Sequence, residues 1–262
     1  MSASKTESRS RNIVIKTADE ILVMKEANQI VAETLTMLQG MVEVGITTWD
    51  LDRAAEDKCM KMKAKPAFKG YRGFPGSLCV SINEEVVHGI PSRKRKLKKG
   101  DIISIDFGVL FRGFYGDSAL TLPVGSVKED VARLLASTKE SLAKGIERAV
   151  VGNRVSDISR AIQEYVEEQG FSVVRQFVGH GIGSSLHEAP EIPNFYQGER
   201  TPRLLPGMVL AIEPMVNMGT HKVKVLRDGW TVITDDRKPS AHFEHSVAIT
   251  EDGPMVLSLR EN

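Results

Sequence analysis

The sequence predicts an α+β protein built from two similar halves that share one curved, mainly antiparallel sheet. Two matches at one offset carry this reading. "VGITTWDLDRAA" from Val44 lies over "VGNRVSDISRAI" from Val151, pairing Val, Gly, Asp, Arg and Ala at an offset of 107 residues (151 − 44). The same offset lays "GDIISID" from Gly100 on "GMVLAIE" from Gly207, so Asp106 falls on Glu213. Two separated segments agreeing on one offset mark an internal duplication of the order helix, helix, strands. A third observation is that no Pro- or Ser-rich stretch separates the copies. The economical arrangement is therefore one domain, about 13–262, whose halves (about 13–125 and 126–262) pair their strands and carry two helix pairs on the outer face.

The elements follow in order. The polar opening "MSASKTESRSRN" (1–12) reads as a flexible tail without the apolar core of a signal peptide. Asp19 to about Gly40 has apolar residues at helical spacing, with Asp19 as its cap. A second helix starts near Thr47 or Thr48. A Gly/Pro-rich loop, "KGYRGFPGS", leads into the strand "LCVSIN", and "ISIDFG" and "FYGDSALTLP" form a hairpin turning near Arg112 and Gly113. Helices resume over about Lys128–Val150 and Val155–Gln169.

Composition narrows the function classes. Charged residues are 26% and hydrophobic residues 41%, an ordinary globular balance. A formal net charge of +1 gives no dominant field for nucleic acid or membrane. No run reaches the roughly 18 apolar residues of a spanning helix. A cytoplasmic monomer without membrane or sequence-specific nucleic-acid partners is expected. Cys59 and Cys79 are too few and too far apart for a disulfide framework or a metal-spaced pair, and read as reduced thiols. The run Ser92–Lys99 ("SRKRKLKK") holds six basic residues and reads first as a solvated loop. Its sharper reading is transient docking beside ribosomal RNA, which charge reversal of Arg93 to Lys96 and ribosome pelleting would test.

Asp106 raises the chemical question, because an ionised carboxylate inside "GDIISIDFG" is costly to bury without compensation. Asp117 ("FYGDSAL"), Glu213 ("LAIEPM") and Glu244 ("HFEHSVAI") have similarly apolar settings, and the duplication brings all four near its axis. Four such carboxylates would repel, and burial would raise their pKa values, unless cations intervene; four negative charges match two divalent ions. His180 in "VGHGIG" is the best candidate imidazole, its flanking Gly179 and Gly181 permitting close backbone approach. Oxygen donors with one nitrogen suit Mn²⁺, Fe²⁺, Co²⁺ or Zn²⁺. Each acid alone could instead end a strand or pair with a base. His221, His242 and His245 have no compelling setting and are expected at the surface or in hairpins.

"VVHGIP", "SIDFG", "FYGDSA", "GHGIG", "LHEAP", "AIEPM", "DGWTV" and "FEHS" occur in that order, and together resemble the motif set of type I methionine aminopeptidases, short bacterial form, over roughly Ile13–Arg260. The resemblance implies the pita-bread fold and hydrolytic removal of the initiator methionine from nascent proteins whose second residue is small. It implies two divalent ions: Asp117, His180, Glu213 and Glu244 holding the tighter one, Asp106 the second, with Asp117 and Glu244 bridging. Glu213 would move the proton of the attacking water. His187 would donate to the scissile carbonyl oxygen, and His88 would contact the peptide nitrogen. Tyr71, Phe74, Cys79, Phe177 and Trp230 would line the methionine pocket. Phe68 and Val178 stand where cysteines occur in some relatives, Phe74 where a tyrosine does, Leu186 where an aromatic does, and Gly108 where a hydroxyl residue does. Two rivals share the fold: a ligand-less binding module, disfavoured because all five ligand positions are filled, and a proline-specific peptidase or creatinase, expected to carry a further N-terminal domain.

Overall fold

A computed structural model describes residues 13–198 and 200–260; the tail 1–12 lies outside the described residues. Helix α1 spans Ala18–Met41 and α2 Thr48–Lys61; strand β1 is Cys79–Ile82, β2 Ile102–Phe111 and β3 Phe114–Pro123. The second half supplies α3 Glu129–Glu147, α4 Val155–Glu168, β4 Gly179–Gly181, β5 Glu188–Ile192, β6 Val209–Ile212, β7 Ser240–His242, β8 Glu244–Thr250 and β9 Gly253–Val256. Asp19 does not cap α1. Thr17 does, accepting from the Glu20 amide while the Glu20 carboxylate accepts from the Thr17 amide, which satisfies two donors that Asp19, already inside the first turn, cannot reach. The hairpin turns through Arg112 (φ 50°) and Gly113 (φ 88°), two successive left-handed residues whose twist matches that of the flanking strands.

The duplication is visible in the backbone. α4 begins and ends 107 residues after α2, and β6 begins 107 residues after β2. Asp50 caps its helix by accepting from the Thr47 amide, and Asp157 repeats this with the Arg154 amide. Thr47 bridges to Lys96, and Arg154 bridges to Arg203 at the same offset. Gly100 (φ 91°) and Gly207 (φ 87°) make the equivalent tight entries into β2 and β6, a conformation that favours glycine.

The main sheet contains the run β2–β3–β8–β6–β4–β5, with β1 on β2 and β9 on β8. β2 and β3 correspond to β6 and β8, so the halves meet where β3 pairs with β8, Ala119 opposite Glu244 and Ser118 opposite His245. Alternation along β2 separates two environments. Ile103, Ile105, Phe107 and Val109 are wholly buried in the main core with α1 residues such as Leu35 and Leu38. Ser104, Asp106 and Gly108 alternate with them and therefore face the opposite side of the sheet. The Ser92–Lys99 run is a loop in which Arg95 pairs with Glu85, Arg93 stacks on Trp49, and Lys94, Lys96, Lys98 and Lys99 are exposed.

Candidate metal centre

Register places the chemistry. Asp106 lies opposite Ala119, and Ala119 opposite Glu244. The β8–β6 pairing of His245 with Ile212 carries this row on to Glu213, one residue past the strand. Two residues along runs the neighbouring row: Gly108 opposite Asp117, and Ser246 opposite Ala211, which in turn lies opposite His180. Positions two apart in a strand share a face, so all five side chains project from one side of the sheet, across the join between halves. His180 reaches it because its strand lies very close to its neighbours. A Cβ on Gly179 would sit 2.4 Å from the Ala211 carbonyl oxygen, and one on Gly181 2.3 Å from that of Ala189.

The electrostatics call for a cation. Donor atoms of Asp117, His180 and Glu244 all lie within 4.8 Å of one another, and His180 Nε2 is 3.5 Å from Glu213 Oε1. Asp106 Oδ1, Asp117 Oδ1 and Glu244 Oε1 are buried without a hydrogen-bond partner, although such atoms are rarely left so. Burial pushes Asp106 up to about 7. Burial first, then the neighbouring carboxylates, pushes Asp117, Glu213 and Glu244 well above the usual range. Burial holds the His180 imidazole down to about 3, and with Nδ1 donating to the Gly181 carbonyl at 2.9 Å, its Nε2 lone pair is left free. The donor set fits divalent metal: charge-rich oxygens, one neutral nitrogen, and no internal base to neutralise them.

Metal-free protein should carry a pH signature. A carboxyl whose folded pKa exceeds its unfolded value near 3.9 binds more protons when folded, so its contribution is fully present below about pH 4 and is lost as pH rises through the folded value. For Asp106 that window closes near pH 7. Chelator-treated protein should therefore melt higher at pH 5 than at pH 8, by a few kcal/mol at about 1.4 kcal/mol per pH unit, and added metal should reverse the order. Thermal melts at the two pH values check it.

A cavity of about 140 Å³ opens beside the acids, walled on its apolar side by Phe68, Tyr71, Phe74, Cys79, Leu186 and Trp230. Phe74 and Trp230 meet edge to face at 5.1 Å. Cys59 and Cys79 are both free and buried. Phe177 is not among the residues lining the cavity; it packs edge-on against His88 at 5.7 Å. Val178, just before β4, does not line it either. Gly108 and Phe68 are linked: a Cβ at 108 would lie 2.9 Å from the Phe68 ring and 3.2 Å from Asp117 Oδ1, so the aromatic occupies room that a larger residue at 108 would need.

His88 and His187 both line the cavity. Burial lowers each to about 4, helped by His187 for the first and Arg72 for the second, so both are neutral at pH 7. Tyr71 Oη lies 2.8 Å from His187 Nδ1; with the hydroxyl donating, the ring proton is on Nε2. His88 has a left-handed backbone (φ 60°), a strained conformation for a histidine.

The expectation that His242 and His245 are peripheral is overturned. His242 is 1% exposed, with neither ring nitrogen hydrogen-bonded and Nε2 3.8 Å from Glu213 Oε2. His245 is half-buried, its Nδ1 2.8 Å from Ser258 Oγ. Both belong to strands carried into the sheet interior, and the spacing of 242 from Glu244 was the signal that it could share the acid's face.

The family model described as metallopeptidase family M24 matches residues 23–251. A methionine aminopeptidase of Clostridium acetobutylicum is 54% identical over 249 residues, covering 95% of this chain and all of that protein. Methionine aminopeptidase 1 of Bacillus subtilis is 55% identical, covering 94% and 99%. The crystal structure of the Thermotoga maritima methionine aminopeptidase superposes with a TM-score of 0.93 at 45% identity, covering 95% of this chain and 100% of that one. With its fold, its donor set and its full-length relatives in agreement, the chain belongs to metallopeptidase family M24, among the methionine aminopeptidases.

Proposed function

We propose that the protein removes the N-terminal methionine of nascent polypeptides by metal-dependent hydrolysis when the second residue is small. The observation that carries this is the convergence of five donors, Asp106, Asp117, His180, Glu213 and Glu244, on one sheet face beside an apolar cavity. Two divalent ions, Co²⁺, Mn²⁺, Fe²⁺ or Zn²⁺, match the four negative charges. Bound there, they supply charge neutralisation, carbonyl polarisation and a water of lowered pKa.

The protein's own groups do the rest. Tyr71, Phe74, Cys79 and Trp230 hold an unbranched apolar side chain away from water, which favours methionine over polar residues. His187, neutral and bearing its proton on Nε2, is set to donate to the scissile carbonyl oxygen as negative charge develops there. His88, opposite Trp230 at 6.3 Å, is placed to contact the peptide nitrogen. Glu213, whose pKa burial raises, holds a proton readily and is the group we assign to moving it. The exposed Arg93, Lys94 and Lys96 are the side chains we assign to transient ribosome contact.

Release of methionine from Met-Ala-Ser, compared with cleavage of Xaa-Pro peptides, with and without Co²⁺ or Mn²⁺, tests the reading. Metal-dependent release from the first peptide alone is expected. Its absence, or preference for the proline peptides, overturns the assignment.

A further inference from the structure

One buried ion pair lies outside the catalytic set. Lys16 Nζ donates to Glu188 Oε2 at 2.6 Å, the two side chains being 2% and 6% exposed. A buried pair of this kind gives little net stability over apolar residues of similar size, since desolvating two charges offsets most of their attraction. Its surroundings point to geometry instead.

Glu188 directly follows His187 and opens β5, where the pairing with β4 shifts register between His180 and Gly181. Its second oxygen, Oε1, accepts from the Ser185 amide at 3.1 Å, and the Gly183 amide donates to the Ser185 carbonyl at 3.1 Å. The loop from Gly183 to His187 is thus folded around the Glu188 carboxylate. Gly183 is pressed against the pair itself: a Cβ there would lie 2.5 Å from Lys16 Cε and 2.6 Å from Glu188 Oε1. Lys16 is held independently. Its amide donates to the Gly207 carbonyl at 2.8 Å, its Nζ also donates to the Val14 carbonyl at 3.2 Å, and the next residue, Thr17, caps α1. A fixed cation on the chain's first ordered segment therefore grips the one carboxylate around which the His187 loop is wound.

We infer that Lys16 is a positioning residue for the proposed peptidase reaction, acting through Glu188 to hold His187 in its donating orientation. The inference rests on the function proposed above. Its action is expected in the turnover step, because an oxyanion donor displaced by about 1 Å forfeits transition-state stabilisation far more than substrate binding.

The test uses the metal-loaded full-length enzyme and Met-Ala-Ser. Lys16→Met is expected to lower kcat by about 10- to 100-fold with KM changed less than about 3-fold, and Lys16→Arg, which restores the charge, to recover most of the loss. The decisive readout is the cycle with His187→Ala. If Lys16 works through His187, Lys16→Met in that background lowers kcat by no more than about 2-fold. An equal penalty in both backgrounds, or wild-type kcat in Lys16→Met, overturns the inference. Should Lys16→Met show no cooperative melt, Lys16→Met/Glu188→Gln, which leaves no charge buried alone, takes its place, and wild-type kcat in that variant overturns it equally. A wild-type enzyme that releases no methionine would instead sink the functional assignment, and is measured first.

Discussion

Asp117→Asn is expected to abolish methionine release, with kcat/KM down by at least about 10³-fold, while making the metal-free protein more stable. Loss of partners that merely support a ligand costs about 10- to 100-fold in metal affinity or activity, and Asp117 is proposed as a bridging ligand itself. Its Oδ1 is buried and unpartnered, and it lies with His180 and Glu244 in the tightest donor cluster. An amide of the same shape keeps one neutral oxygen but removes a unit of charge. In the metal-free chain that charge opposes Asp106, Glu213 and Glu244, each of which Asp117 faces across the cavity floor. The variant should thus hold less metal per chain, measured by elemental analysis after dialysis, and melt above the wild type at pH 8 in chelator. A variant that binds two ions, or melts lower in chelator, would contradict the charge-balance account.

His187→Ala is expected to lower kcat by roughly 10²- to 10³-fold, the usual cost of one oxyanion donor, with KM nearly unchanged. The ring sits 4.2 Å from that of His180 and stacks on Tyr71 at 5.3 Å, so truncation opens space without breaking a strand. Tyr71→Phe separates orientation from donation: the ring proton is then free to occupy either nitrogen, and a smaller loss, about 10-fold, is expected, in line with the modest worth of a single neutral hydrogen bond. Steady-state kinetics on Met-Ala-Ser, with circular dichroism to confirm folding, decides both. A dominant rise in KM would show ground-state binding instead.

Much of this fold could be read before any coordinates, because the duplication is written at an unbroken offset. The match of Asp106 to Glu213 rests on two strands that each begin after a left-handed glycine, and glycine is recognisable in sequence. The acids declared themselves by contrast, charged residues in runs otherwise apolar. His242 did not. Its neighbours Ala241 and Phe243 are apolar too, but a break between β7 and β8 hides whether the alternation continues to Glu244. Thr17 was passed over as a cap because the apolar periodicity of α1 starts later than its hydrogen bonds do. The Lys16–Glu188 pair spans 172 residues, and neither partner sits in a pattern that a local reading can flag. Phe177 was assigned to the pocket wall, yet it braces His88 from outside the lining, a one-layer difference that position in a motif cannot resolve.

The seam between β3 and β8 also speaks to origins. Neither half holds a complete ligand set: residues before Pro123 give Asp106 and Asp117, and those after it give His180, Glu213 and Glu244. A half-length forerunner would have needed a second copy of itself, paired edge to edge where Ala119 now meets Glu244, to gather enough oxygens for an ion. Fusion into one polypeptide freed the copies to diverge, and the lone imidazole at His180, with glycine at its row-mate 108, is the trace of that freedom.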